Sequence, residues 1–439
     1  MPAIAAPPRE IADAISIVVP HRKSEESLER LLASLAAQTY PIHEILLVHH
    51  HEQELPIADL ALRHQLPLRG LSADPSVRAM INKGFQEATS DYVMLCHDDV
   101  ELPRTYLEKL GNKAKQGVGA VSGMFLVPGE TIESSTQFPI STVRNLCYRF
   151  LFQLPVCYDL SKLRTGLLGR PLTQLMRRYY AARNNQFSLA GWPLITQLNG
   201  TSFQAKVWPT MACLIRRDWY SPCDEALEAD GTAECLELSL KLPDQITVTR
   251  ETSAIYYGHR TSRIENGINH CKRFLSLDYL MRKNGRFNGV NRLWLAWSLL
   301  GAYLAWRWNG SREKATATLT ALRLIALDQN PYSHGQSAEH IDLKMGERRK
   351  ISMDRREGNE RRTDDDRRLD TDRRLDTDRR LADRRHSKDK RIVQGRRLSD
   401  LGEHDDRRNN DRRQRNQRRL GRTDRRRPAR PCFPELGFL

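Results

Sequence analysis

The chain has 439 residues and a formal net charge of +16, a length for one large or two ordinary domains and a charge that would first suggest a nucleic-acid partner. The excess is local: residues 341–439 hold 33 Lys and Arg against 21 Asp and Glu, which leaves 37 against 33 in residues 1–340 and excludes a uniformly basic body. The longest uncharged apolar run, Leu293 to Trp306, is 14 residues, short of the ~20 that cross a bilayer, and the start around Pro7-Pro8-Arg9-Glu10 lacks the form of a secretory signal, so a cytoplasmic location is expected.

An apolar run from Ile15 to Pro20, a helix-period stretch from Glu25 to Gln38 and a short apolar strand from Glu44 to Val48 give a β-α-β opening. A helix over Ser76–Ala88, a strand over Tyr92–Leu95, a helix over Arg104–Lys115 and a strand over Gly119–Val127 continue the alternation. Repeated βα units of this kind predict an α/β fold on a mainly parallel sheet. Residues 128–205 break the rhythm and read as an insertion with helices near Arg144–Leu154 and Leu172–Ala182. A buried strand at Met211–Ile215, a helix at Ala233–Leu242, and strands at Ile246–Thr249 and Ser253–Tyr257 follow. Helices near Asn269–Lys283, Arg292–Trp308 and Arg312–Asp328 close the folded part near residue 335. Beyond it Asp-Arg-Arg occurs eight times and no aromatic residue lies between Tyr332 and Phe433, a composition that buries too little apolar surface to order itself. The eight cysteines form no Cys-x-x-Cys pair, which argues against a zinc site or a disulfide framework and for reduced thiols.

Chemistry concentrates first at Tyr92-Val93-Met94-Leu95-Cys96-His97-Asp98-Asp99. An apolar strand delivers two carboxylates to its C-terminal end, where ligands bind in open α/β sheets. Hard oxygen ligands there suit Mg²⁺ or Mn²⁺, which bridges diphosphate oxygens; the alternative is an acidic turn that only caps the next helix. Around this segment the sequence resembles the family-two glycosyltransferases, inverting enzymes with a GT-A fold that use nucleotide-sugar donors. The resemblance runs from about 14 to 285. It is carried by Ser16-Ile17-Val18-Val19-Pro20, by Leu31 to Pro41, by Glu44 to Val48, and by Asn82-x-Gly84-x-x-x-Ala88 followed by Asp91-Tyr92 and the Asp-Asp-Val run.

The resemblance implies a Rossmann-like mixed sheet of the nucleotide-diphospho-sugar transferase type, to which the element pattern adds a helical insertion and C-terminal helices and the composition a disordered Asp/Arg-rich tail. The implied organisation is an arm at 1–13, a GT-A domain at 14–285 with the insertion at about 128–205, amphipathic helices at 286–335 and the tail at 336–439. Donor contacts are expected from Pro20, His21, Arg22, Arg78, Asn82 and Asp98, and from Arg260 and Arg263, whose guanidinium forks match phosphate oxygens. The divalent metal, Mn or Mg, is assigned to Asp99, Asp98 and the late histidine, His259. The stretch Trp208–Asp218, Cys223-Asp224-Glu225 and Ala233–Leu242 resembles the acceptor side.

An acidic pair opens that helix in the family, one carboxylate deprotonating the acceptor hydroxyl. Here the pair is Glu234-Cys235, so Glu234 is the first candidate, with Glu237 and Asp230 behind it; Glu237 could instead pair with Lys241 on the helix surface. After the second strand the family's Asp-rich residues are replaced by Val48-His49-His50-His51-Glu52, which reads as a solvated loop more readily than as a metal site. The implied activity is transfer of a sugar from a nucleotide-sugar donor to a glycan or lipid-linked acceptor in cell-surface polysaccharide or glycolipid assembly. Alternatives are a sugar-nucleotide-binding scaffold without catalysis, for which Cys235 leaves room, and an RNA- or surface-binding protein led by its tail. The tail's own aspartates neutralise much of its field, so no specific nucleic acid is expected. Four tryptophans at 294, 297, 306 and 308, flanked by Arg292 and Arg307, suit either an interfacial helix at the inner membrane or one packed on the domain.

Overall fold

Six consecutive apolar or small residues, Ile15–Pro20, form β1, buried on both faces as the centre of a sheet requires. The computed structural model describes residues 14–22, 24–52, 55–130, 143–157, 159–160, 170–227, 233–258, 267–336, 338 and 341, all within one compact unit. The arm at 1–13 and the Asp-Arg-Arg segment lie outside the described residues.

Helix α1, Glu25–Ala36, starts where the Ser24 hydroxyl accepts the Ser27 amide at 3.4 Å, and it buries Leu28, Leu31, Leu32 and Leu35 at three- and four-residue steps. Strand β2, Ile42–His50, pairs parallel to β1. Two elements without a sequence signal follow: α2, Ile57–His64, and β3, Leu68–Ala73, parallel to β2. Strand β3 is half-exposed with a mixed polar pattern, so it carries neither an apolar run nor clean alternation.

The chain then returns through α3, Val77–Glu87, to β4, Tyr92–Cys96, on the opposite side of β1. Gly84 makes that crossing possible, since a Cβ there would stand 2.2 Å from Val18 Cγ1. Strand β5, Val100–Glu101, helix α4, Tyr106–Lys115, and strand β6, Ala120–Leu126, follow.

Within the insertion lie α5, Val143–Leu151, β7, Val156–Cys157, α6, Arg170–Ala182, and β8, Leu194–Ile195, with β7 and β8 forming a small parallel sheet of their own. Strand β9, Ser202–Ala205, β10, Ala212–Arg216, α7, Glu234–Lys241, and β11, Ile246–Tyr256, follow.

The main sheet runs β3-β2-β1-β4-β10-β6-β11-β5, with β9 beside β11. The expectation of a mainly parallel sheet holds for β3-β2-β1-β4 and for β6 with β11, but β10 is antiparallel to both β4 and β6, and β11 is antiparallel to β5 and β9. The reason is topological: β10 follows the insertion instead of a crossover helix, which frees it to enter the sheet in the reverse direction. The result is a mixed α/β sheet. The two strand runs expected at 246–249 and 253–257 are one strand whose register shifts at Thr249/Ser253, where Arg250 and Glu251 interrupt the apolar pattern.

A second core joins the insertion to three C-terminal helices, α8, Gly267–Lys283, α9, Gly289–Trp308, and α10, Arg312–Ala326. Helix α9 opens on a reciprocal cap between Asn288 and Asn291 and packs Leu295, Leu299, Ala302 and Trp306 inward. Trp192 locks it by donating from Nε1 to Ser298 Oγ at 2.8 Å. No helix among the described residues is long and apolar enough to cross a membrane.

Candidate active site

Strand order reverses between β1 and β4, and the C-terminal ends of neighbouring strands at such a point leave a crevice for a ligand. Pro20 ends β1, and the chain turns there with the His21 amide donating to Val48 O at 2.8 Å. The buried His21 ring places Nδ1 2.9 Å from Asp98 Oδ2, and the Arg22 amide donates to the same oxygen at 2.9 Å. One carboxylate thus fastens the ends of β1 and β4 together. Asp98 and Asp99 are both buried at this edge. The Asp99 carbonyl accepts the Tyr257 amide at 2.9 Å, which ties it to the end of β11. Burial, with the charges of Asp99 and Asp98, pushes the thiol of Cys96 far up, so it stays protonated beneath them.

His97 extends the β4–β10 ladder through its amide to Met211 O at 2.9 Å. Its Nε2 stands 3.2 Å from Oε1 of the buried Glu234, the first residue of α7, within ion-pair reach but off the angle of a hydrogen bond. The chain enters α7 through Ala233 in a left-handed conformation, φ 64°, a sharp turn for a residue with a Cβ. Among the described residues Glu234 Oε2 and Thr210 Oγ1 are buried without a hydrogen-bond partner. Thr210 is also tied to the helix start, its amide meeting Cys235 Sγ at 3.4 Å. Elements more than a hundred residues apart therefore bring Asp98, Asp99, His97, Thr210 and Glu234 to one edge.

Glu237 faces the interior and not the helix surface anticipated for it. Its Oε2 accepts from Arg78 Nε at 3.0 Å, while Oε1 accepts from the Asp224 amide at 2.5 Å and from Lys241 Nζ at 2.7 Å. The pairing with Lys241 exists, but the carboxylate is fully buried because Arg78 rises from α3 beneath it. Arg78 also donates from Nη1 to Leu227 O at 3.2 Å. One turn on, Asn82 donates to Cys223 O at 3.0 Å and Glu225 Oε1 at 2.9 Å and accepts from the Cys223 amide at 2.7 Å and the Tyr220 hydroxyl at 2.5 Å. Arg78 and Asn82 are thus brought to the loop at 220–227 and to α7. Burial and the Glu237 charge push the Cys223 thiol up to about 12.

Asp230, His259, Arg260 and Arg263 lie outside the described residues. Of the histidine run, the His49 ring approaches His50 O at 3.0 Å and His50 stands 3.7 Å from the exposed Glu52. Among the described residues no group of three or more His, Cys, Asp or Glu side chains is disposed to hold a metal ion. A cavity of about 440 Å³ opens beside the ends of β2 and β3, lined among others by His51, Asp74, Asn82, Lys83 and Glu225. The sequence reading missed Thr210 and Asp74; an unpaired hydroxyl and a lone carboxylate after an unrecognised strand leave no periodic signal.

Residues 16–153 match the family described as Glycosyl transferase family 2, which bears out the resemblance over that span and gives the chain a glycosyltransferase region. No curated protein matches the sequence. Among solved structures the chain is similar to S. aureus TarS 1-349, at 15% identity and a TM-score of 0.40, covering 79% of this chain and 92% of that one. The same TarS fragment in complex with UDP-GlcNAc gives 14% identity and a TM-score of 0.41 over 79% and 92%. GalNAc-T7 with UDP, GalNAc and Mn²⁺ gives 11% identity and a TM-score of 0.37 over 57% of this chain and 44% of that one.

Proposed function

We propose that this chain transfers a sugar from a nucleotide-sugar donor to a hydroxyl acceptor with inversion of the anomeric centre. The observation that supports it most is that His97, next in the chain to the buried Asp98 and Asp99, stands 3.2 Å from a buried Glu234 whose Oε2 has no hydrogen-bond partner among the described residues. In this reading the acceptor hydroxyl gives its proton to Glu234 Oε2 while its oxygen attacks the anomeric carbon. The bond from that carbon to the diphosphate oxygen breaks on the opposite face, and the nucleoside diphosphate leaves with the electron pair. His97 stands beside this carboxylate, 3.2 Å from Oε1.

The residues at the edge suit a divalent metal, Mn or Mg. Asp99 would hold it, with Asp98, which also ties His21 and Arg22, and His259 as companions. Hard carboxylate oxygens suit such an ion, which when bound would supply positive charge against the leaving group. Pro20 sets the turn that presents His21 and Arg22, and Arg22, Arg260 and Arg263 supply further charge. Arg78 and Asn82 hold the acceptor-side loop together with Glu237, whose two carboxylate oxygens are both engaged, and Asp230 stands as the secondary acidic candidate. The cavity beside β2 and β3 seats the nucleoside. A glycan or lipid-linked acceptor at the cytoplasmic face, in surface polysaccharide or glycolipid assembly, completes the reading.

Cys235, where the family has Asp, favours one rival: a protein that binds a sugar nucleotide without turning it over. A panel of nucleotide-sugars incubated with Mn²⁺ separates the two. The transferase releases nucleoside diphosphate, and Glu234→Gln slows release by about 10²- to 10⁴-fold. Tight donor binding with no release by the unsubstituted chain would select the rival.

A further inference from the structure

We propose that the outward face of α9 is a docking surface for an anionic lipid bilayer. Helix α9 already buries one side in the second core, and a packed surface helix is normally polar on its other side. Here the outward positions are Val290, Leu293, Trp297, Leu300, Leu304 and Trp308, with Leu293 72% and Trp308 81% exposed. Their three- and four-residue spacing makes one continuous stripe about 27 Å long at 1.5 Å per residue. An apolar stripe of that length on a soluble domain marks an interaction face. The stripe does not end at the helix: Trp297 donates from Nε1 to Leu151 O at 2.9 Å and stacks on Phe152, so the exposed Leu151 at the end of α5 lies beside it.

Charge selects the occupant. Helices α5, α6 and α9 contain no Asp or Glu, whereas Arg144, Arg177, Arg178 and Arg307 are exposed on them. The three are in contact, through the Tyr148 hydroxyl on Gly301 O at 2.6 Å and the Phe150 ring against Tyr179 and Tyr180. Apolar and tryptophan side chains beside arginines, with no acid among them, suit a leaflet with negative headgroups. A second copy fits less well, because a twofold pairing of α9 would set arginines against arginines, and the acids beside α9, Asp278 and Asp328, are already paired with Arg282 and Arg292 of their own chain. The inference does not depend on the transferase reading, although a lipid-bound enzyme would meet a lipid-linked acceptor in the plane of the membrane.

The test uses the full chain and sedimentation with vesicles of phosphatidylcholine alone or mixed with phosphatidylglycerol. The chain is expected to sediment with the mixed vesicles, and the double substitution Leu293→Glu with Leu304→Glu to lower its partition by about tenfold or more at an unchanged melting temperature. Lipids brominated on their acyl chains should quench the tryptophan fluorescence of the unsubstituted chain, and Trp308→Phe should reduce that quenching. Undiminished partition of the double variant, or absence of quenching, would overturn the proposal and leave any binding to the basic tail. A dimer in solution that the double variant dissolves, with no vesicle binding by the parent, would overturn it in favour of a second copy.

Discussion

Arg78 and Glu237, 159 residues apart in sequence, form an ion pair of 3.0 Å with both side chains withdrawn from solvent. It joins α3, behind the first half of the sheet, to α7, whose first residue is Glu234. Removing one partner strands the other charge in the interior, so Arg78→Met or Glu237→Met is expected to cost about 3–5 kcal/mol. The double variant should be less destabilised than the sum of the singles. Urea unfolding of the four proteins checks this; additive losses would show that the pair does not act as a unit.

Gly84 lets α3 lie on β1. A Cβ at this position meets Val18 Cγ1 at 2.2 Å, a distance no relaxation of a well-packed strand absorbs without movement. Gly84→Ala should therefore destabilise by about 1–3 kcal/mol. Val18→Ala in the same chain should recover part of that loss, as read from the thermal midpoints of the two variants.

His270 of α8 is buried with its ring edge-on to Phe274 and Trp306. Burial, with the charges of Arg273 and Lys314, pushes its pKa down to about 3 from 6.5. The folded chain keeps this ring neutral while the unfolded chain protonates it, so stability is lost as the pH falls from 6.5 towards 3. In that window the loss is about 1.4 kcal/mol per pH unit. His270→Phe should flatten the acid side of the profile; urea midpoints at pH 7 and pH 5 give the comparison, and parallel profiles would exclude this role.

Cys235 meets the Thr210 amide through its sulfur and takes no proton in the proposed reaction. Cys235→Ser, which keeps an acceptor at that position, is expected to leave sugar transfer unchanged within a factor of about three. A loss comparable to that of Glu234→Gln would instead make residue 235 part of the proton transfer.

Elements whose signal is local were legible in the sequence. Ile15–Pro20, Tyr92–Cys96 and Ala120–Leu126 are buried on both faces and read as runs of apolar and small residues, and α1 shows its leucines at helical steps. Strand β3 escaped because an edge strand is half-solvated, and the direction of β10 escaped because nothing in a short apolar run states which way it runs. The Asp98-Asp99 pair stood out as carboxylates at a strand end. The burial of Glu237 did not, since from its own helix only Lys241 is in view and Arg78 arrives through tertiary packing. The meeting of His97 with Glu234 was hidden for the same reason: no local period links β4 to α7.

The central claim is that Asp99 and Glu234 serve one donor in separate roles, the first in holding it and the second in the proton transfer. Calorimetric titration of UDP, GDP, ADP, CDP and dTDP, each with Mn²⁺, into the parent chain, Asp99→Asn and Glu234→Gln tests this directly. One nucleoside diphosphate should bind the parent and Glu234→Gln alike, while Asp99→Asn weakens it by about tenfold or more. Equal binding by Asp99→Asn, or no binding of any of the five by the parent, would contradict the account.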